Sequence, residues 1–82
     1  MEYIGEKVPV MAVFGGSCGL KPFKFKWLER IITVTDITYS WVDMKGKSKI
    51  YHFSVTDGRV LYELSFNTTS LTWNLEKIET DM

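Results

Sequence analysis

The sequence predicts an all-β domain: a single small, strongly bent antiparallel sheet closing into a roughly six-stranded barrel or roll. Three observations predict it. Apolar residues step by two almost everywhere, and no amphipathic helix of useful length can be drawn. Turn residues recur at short intervals between these runs. Asp57-Gly58 stands between two alternating apolar runs, a strong local hairpin signal. Closure follows from economy, because it removes exposed edges from a short chain.

Taken in order, Glu2 to Phe14 reads as one strand or two short ones, with Tyr3, Val8, Val10, Ala12 and Phe14 inward and Ile4 out of phase. Pro9 cannot donate to a ladder and marks an edge or bend. Gly15 to Pro22 is a loop, with three glycines and one proline. Phe23, Phe25 and Trp27 alternate with Lys24 and Lys26 in a half-buried strand, and Leu28-Glu29-Arg30 makes a turn. Ile31 to Val42 is the longest strand. Ile32 and Val34 keep one parity while Ile37, Tyr39 and Trp41 keep the other, which predicts a bulge or sharp bend at Asp36, as in strands that serve two sheets.

Asp43 to Ser48 reads as a polar loop around Gly46. Lys49 to Phe66 is the hairpin the chain is organised around. A two-residue type I′ turn at Asp57-Gly58 would place Val55 opposite Val60, Phe53 opposite Tyr62, His52 opposite Glu63 and Tyr51 opposite Leu64. One face then collects Tyr51, Phe53, Val55, Val60, Tyr62 and Leu64, and a slip of one residue would turn that set outward. Asn67 to Ser70 is a turn, and Leu71, Trp73 and Leu75 belong to the last strand. Residues 79–82 are expected to fray. The expected core is Phe25, Val34, Phe53, Tyr62, Leu64, Trp73 and Leu75.

The 82 residues fit one domain, 1–82, with a small core supplied by three Trp, four Tyr and five Phe. Ten basic and ten acidic side chains cancel, which argues against an obligatory polyanion partner, although a local patch survives neutrality. Cys18 is the single cysteine, so no internal disulfide forms and a reducing, cytoplasmic setting is expected. The longest apolar run, Val10 to Phe14, is too short to cross a bilayer, and the first residues do not read as a signal peptide.

The order of landmarks resembles a small bacterial all-β domain family with no established function. The residues that carry the resemblance are Tyr3-Ile4-Gly5-Glu6-Lys7-Val8-Pro9-Val10, Phe25-Lys26-Trp27, Trp41, Tyr51-His52-Phe53-Ser54-Val55-Thr56-Asp57-Gly58, Tyr62-Glu63-Leu64 and Trp73-Asn74-Leu75-Glu76-Lys77-Ile78. The chain departs from that pattern at Glu29, where the family has Gly, and in its short Asp43–Ser48 loop. The resemblance implies a compact β domain and carries over no functional residue. Similar segments at the tail of translesion-polymerase-like proteins add weight to a nucleic-acid reading.

No catalytic, metal or phosphate motif stands in the sequence. Cys18 with His52 suggests a nucleophile and base, but no helix N-terminus or third group supports the thiolate. His52 alone cannot build a zinc site. Gly15–Gly19 lacks the Gly-Lys-Ser/Thr ending of a phosphate-cradling loop. Lysines are the remaining chemistry. Lys21, Lys24 and Lys26 line the outside of one strand, Lys45, Lys47 and Lys49 line the entry to the hairpin, and Arg30 and Arg59 can join either set. If these sets converge beside an exposed ring such as Trp41, they form a grip for single-stranded nucleic acid. Otherwise they keep edges and loops soluble.

The expectation is a non-enzymatic binding module without cofactor or metal, monomeric or weakly dimeric, with no membrane association. Its expected partner is a protein, with nucleic acid the alternative. The candidate surface is Lys24, Lys26, Trp41, Lys45, Lys47 and Lys49.

Overall fold

The computed structural model describes residues 2–15 and 19–80. Eight strands follow one another: β1 (Glu2–Lys7), β2 (Val10–Val13), β3 (Lys21–Trp27), β4 (Arg30–Thr33), β5 (Asp36–Lys45), β6 (Ser48–Thr56), β7 (Leu61–Asn67) and β8 (Thr72–Glu79). They form two antiparallel sheets, one of five strands in the order β1-β8-β7-β6-β5 and one of three in the order β2-β3-β4. The all-β expectation holds. Neither sheet closes on itself, so the single closed barrel gives way to two sheets sharing a core.

Two corners join the sheets, and both lie near positions the sequence marked. At the first, the Val8 N–H donates to Trp73 of the large sheet, while the Pro9 carbonyl accepts from Lys26 of the small one. Pro9 can serve there because only its carbonyl is needed. At the second, the Val34 N–H donates to Phe23 and the Thr35 N–H to Thr56. Consecutive residues thus divide their hydrogen bonds between sheets, which is why side-chain parity changes along Ile31–Val42. The bend falls at Val34–Thr35, and a bulge between Ile37 and Tyr39 switches parity again. Tyr39 and Trp41, expected on the same side as Ile37, therefore face away from the core it packs against.

The core lies between the sheets. Phe25 and Ile32 from the small sheet meet Phe53, Val55, Tyr62, Leu64 and Leu75 from the large one, with Val8 at the corner. Phe25 packs edge-on against Tyr62, with ring centroids 5.1 Å apart. Each such side chain contributes about 1.5–3 kcal/mol by leaving water. Trp73 and Val34 pack against this cluster while only partly buried. Tyr3 and Phe14, expected inward, are exposed, and Ile4 packs on the core instead. Ile4 shares its parity with Val8 and Val10, and Tyr3 shares its own with Lys7, so plain alternation along the chain turns Ile4 to the core and Tyr3 away from it.

The β6–β7 hairpin keeps its predicted faces but not its register. Val55 lies opposite Tyr62, Phe53 opposite Leu64, His52 opposite Ser65 and Tyr51 opposite Phe66. The partners are displaced by two residues, an even slip that leaves every side chain on its face. The cause is the Asp57 side chain. Its Oδ1 accepts from the N–H groups of Arg59 and Val60, both at 2.9 Å, while Thr56 Oγ1 accepts from Gly58 N–H and donates to the Val60 carbonyl. These bonds wrap Asp57–Val60 into a loop of four residues, in which Gly58 alone takes positive φ.

Further boundaries differ from expectation. Lys21 and Pro22 belong to β3 and not to the loop before it, and Leu71 takes φ 57° in the turn before β8 and is exposed. Asp43–Ser48 is not a loop: β5 runs to Lys45 and β6 begins at Ser48, leaving only Gly46 and Lys47 to turn. Glu79 does not fray but pairs with Leu61 at the end of β8, while 81–82, also expected to fray, lie outside the described residues.

Candidate interaction face

One side of the five-stranded sheet is covered by the small sheet, and the other faces outward. The registers assemble three cross-strand rows on that outward side. The first runs Tyr39, Ser54, Glu63, Lys77, Tyr3. The second runs Trp41, His52, Ser65, Asn74, Lys7. The third runs Asp43, Ile50, Asn67, Thr72. Polar residues in strands thus become a continuous face, because alternation sends the apolar set the other way.

Aromatic rings border this face at the β5 side. The Trp41 and His52 rings stack in parallel, 4.9 Å apart at 3°, and Tyr39 lies 5.5 Å from Trp41. On the far side Lys77 Nζ sits 5.2 Å over the Tyr3 ring. Charges of both signs lie between. Lys77 Nζ is 3.6 Å from Glu63 Oε1, and His52 Nδ1 is 3.8 Å from Glu63 Oε2. The second distance is too long for a hydrogen bond. Buried His52 Nδ1 therefore has no hydrogen-bond partner among the described residues, and the ring is held by its stack on Trp41.

A bulge in β8 adds one more carboxylate. Leu75 lies opposite Leu64 and Lys77 opposite Glu63, so Glu76 is the extra residue between them. It turns onto the face and accepts from Ser65 Oγ at 2.6 Å. Ser65 is 3% exposed, which makes its hydroxyl an internal donor. A depression of about 440 Å³ opens here, lined by Asp43, Met44, Lys45, Ile50, His52, Ser65, Asn67, Asn74 and Glu76.

Of the residues singled out from the sequence, the structure brings Trp41 and Lys45 to this one face. Lys49 has the opposite parity, with Nζ 5.6 Å over the Tyr51 ring, and Lys47 lies in the turn. Lys24 and Lys26 lie on the outward side of the small sheet, opposite Met11 and Ile31. The outward sides of two stacked sheets point away from each other, so Lys24 and Lys26 do not join Lys45. His52 and Glu63 do meet, but diagonally and not as directly opposed partners. Cys18 lies outside the described residues, as does most of Gly15–Gly19.

Sequence reasoning missed Glu76, Asn74, Ser65 and Tyr39 as parts of this face. Tyr39 and Asn74 could have been found from alternation alone. Glu76 could not, because nothing in the sequence signals the bulge. No group of three or more His, Cys, Asp or Glu is placed to hold a metal ion among the described residues. No helix among them is long and apolar enough to cross a membrane. No protein-family model matches the sequence, and no curated protein or solved structure matches it.

Proposed function

We infer that this domain is a binding module, without catalytic function of its own, that contacts a protein through the outward face of its large sheet, in a reducing and hence cytoplasmic setting. The observation that carries the inference is the Tyr39–Trp41–His52 row beside interleaved charges. Aromatic rings supply large contact area at little entropic cost. Asp43, Glu63 and Glu76 alternate with Lys7, Lys45 and Lys77 across the face. Such mixed charge suits a protein surface of complementary pattern and opposes a phosphate backbone, which needs one sign. The two corners, at Val8–Pro9 and Val34–Thr35, bring the sheets around one core as in a small roll and give this face a rigid base.

Nucleic acid remains the competing partner, through Lys24 and Lys26. Their face pairs them with Met11 and Ile31, aliphatic and exposed, where stacking on bases would need rings.

The test is capture of partners from the source cell with and without nuclease, using wild type, Trp41→Ala and Lys24→Glu/Lys26→Glu. Nuclease-resistant capture that is lost in Trp41→Ala and kept in the lysine variant supports the inference. Nuclease-sensitive capture lost in the lysine variant, with single-stranded DNA binding that weakens steeply with salt, replaces it by the nucleic-acid reading.

A further inference from the structure

The two edges of the large sheet are unequal. β1 spans six residues, breaks register between Tyr3 and Glu6, and carries Glu2, Glu6 and Lys7. These features deter a stray strand from pairing there. β5 spans ten residues, and its one irregularity is confined to Ile37–Tyr39. From Tyr39 to Val42 it holds no charge, glycine or proline. Tyr39, Val42 and Met44 are 66%, 50% and 59% exposed. An edge this long, with an uncharged stretch of four residues at its centre, is a template for another strand.

The turn fixes which backbone groups that template offers. Gly46 and Lys47 form a two-residue turn, so the closing pair Lys45–Ser48 is hydrogen-bonded. Pairing alternates from there, which directs Asp43, Trp41 and Tyr39 toward β6. The N–H and C=O groups of Ser40, Val42 and Met44 therefore point to the free edge. Met44 N–H bonds meanwhile to the neighbouring Asp43 Oδ1 at 2.9 Å, which partly occupies it.

We propose that β5 pairs antiparallel with β5 of a second copy of this chain, with Val42 on the twofold axis, joining two five-stranded sheets into one. The occupant follows from complementarity. β5 begins with Asp36 and ends with Lys45, followed by Lys47, so only an antiparallel partner brings acidic start to basic end. Same-face residues must oppose one another, which leaves registers two residues apart. Centring on Asp43 would set two carboxylates face to face. Centring on Val42 instead sets Val42 against Val42, Ser40 against Met44, Trp41 against Asp43 and Tyr39 against Lys45. The exposed Val42 and Met44 are then covered, and Lys45 reaches the Tyr39 ring as a cation over an aromatic face. The same pairing aligns the Tyr39–Trp41 rows of both copies on one continuous face, so it extends the proposed binding face without depending on it.

The test is mass in solution, from micromolar to millimolar concentration, together with amide hydrogen exchange. Wild type should double its mass as concentration rises. The amides of Ser40 and Val42 should slow with it, while that of Gly5 at the β1 edge should not. Val42→Pro removes one outward N–H at an edge, where proline is tolerated, and should be a folded monomer. Ser40→Lys should give the same result should the proline variant not fold. A wild type that stays monomeric throughout overturns the proposal. So does a dimer that both variants keep, or one formed with no concentration-dependent slowing at Ser40 and Val42.

Discussion

β7 and β5 belong to the same sheet, one strand apart, and have opposite characters. β7 is paired on both sides, and Tyr62, Leu64, Ser65 and Phe66 are buried. β5 is paired on one side, and of its ten residues only Ile37 and Trp41 are even half-buried. Sequence composition does not separate them, since both alternate apolar with polar residues. Position in the sheet does. A central strand has neighbours whose side chains cover its own on both faces, whereas an edge strand lacks them on one side. Stability is therefore concentrated in β6–β7–β8, and β5 is left free for contacts.

The largest expected effect tests that division directly. Leu64→Ala should cost about 2–5 kcal/mol, because Leu64 is fully buried and its neighbours can close the cavity only in part. Val42→Ala should stay within about 0.5 kcal/mol, as for an exposed site. Urea denaturation of both at low protein concentration measures the difference. Equal losses would mean that β5 is as well packed as β7, and the contrast would fall.

The outward face offers a smaller contrast. Ser65→Ala removes the donor to Glu76 Oε2 and should cost about 1–3 kcal/mol, the range for a hydrogen bond to a charged group together with the unpaired acceptor left behind. Ser40→Ala should change the monomer little. If Ser65→Ala is silent while Glu76→Ala is costly, Glu76 stabilises through its stem, not its carboxylate.

Much of the fold was legible because binary patterning survives errors of register. The inward set of the central hairpin was right although every partner was displaced by two, since an even slip preserves faces. What was not legible was competition between backbone and side chain. Asp-Gly signals a two-residue turn, but the Asp57 carboxylate binds two amides and draws Arg59 and Val60 into the loop. The reverse occurs at Leu28-Glu29, where two residues take positive φ, 52° and 63°, without glycine, because the β3–β4 register requires it. Asp43 and Lys45 looked like loop residues only because an outward-facing, edge-strand stretch is as polar as a loop. The candidate face was legible at Trp41, Lys45 and the His52–Glu63 pair, and alternation alone gives Tyr39 and Asn74; Glu76 reaches it through a bulge that no residue type announces.

The turns should not share the contrast between the strands. Gly58 at the β6–β7 loop and Gly46 at the β5–β6 turn both take positive φ, 99° and 63°, and a Cβ on either would meet open space. Gly58→Ala and Gly46→Ala should each cost about 1 kcal/mol, from backbone strain alone. A much larger loss at Gly58 would show that the four-residue loop stabilises β7 beyond its conformational preference.

The smallest effect is expected from pH, and it arises at the entrance to β7. Burial acts to raise the Asp57 carboxyl, but the hydrogen bonds from the Arg59 and Val60 amides outweigh it and hold the group below its usual value. The unfolded chain then binds a proton more readily than the folded one across the acid range. Stability from this group is complete above the ordinary carboxylate value and is lost as pH falls through the lowered one. Tyr62 behaves in the opposite sense. Burial first, then the Asp57 charge, raises its phenol against the lowering influence of Arg30. Its contribution is complete below the ordinary phenol value and is lost as pH rises beyond it. Asp57→Asn keeps an oxygen to accept from both amides but removes the charge. Thermal melts across pH should therefore show wild type above the variant near neutrality and the two converging in acid. Parallel curves through the acid range would show that Asp57 holds the loop by geometry alone, with no electrostatic share in the closing of β7.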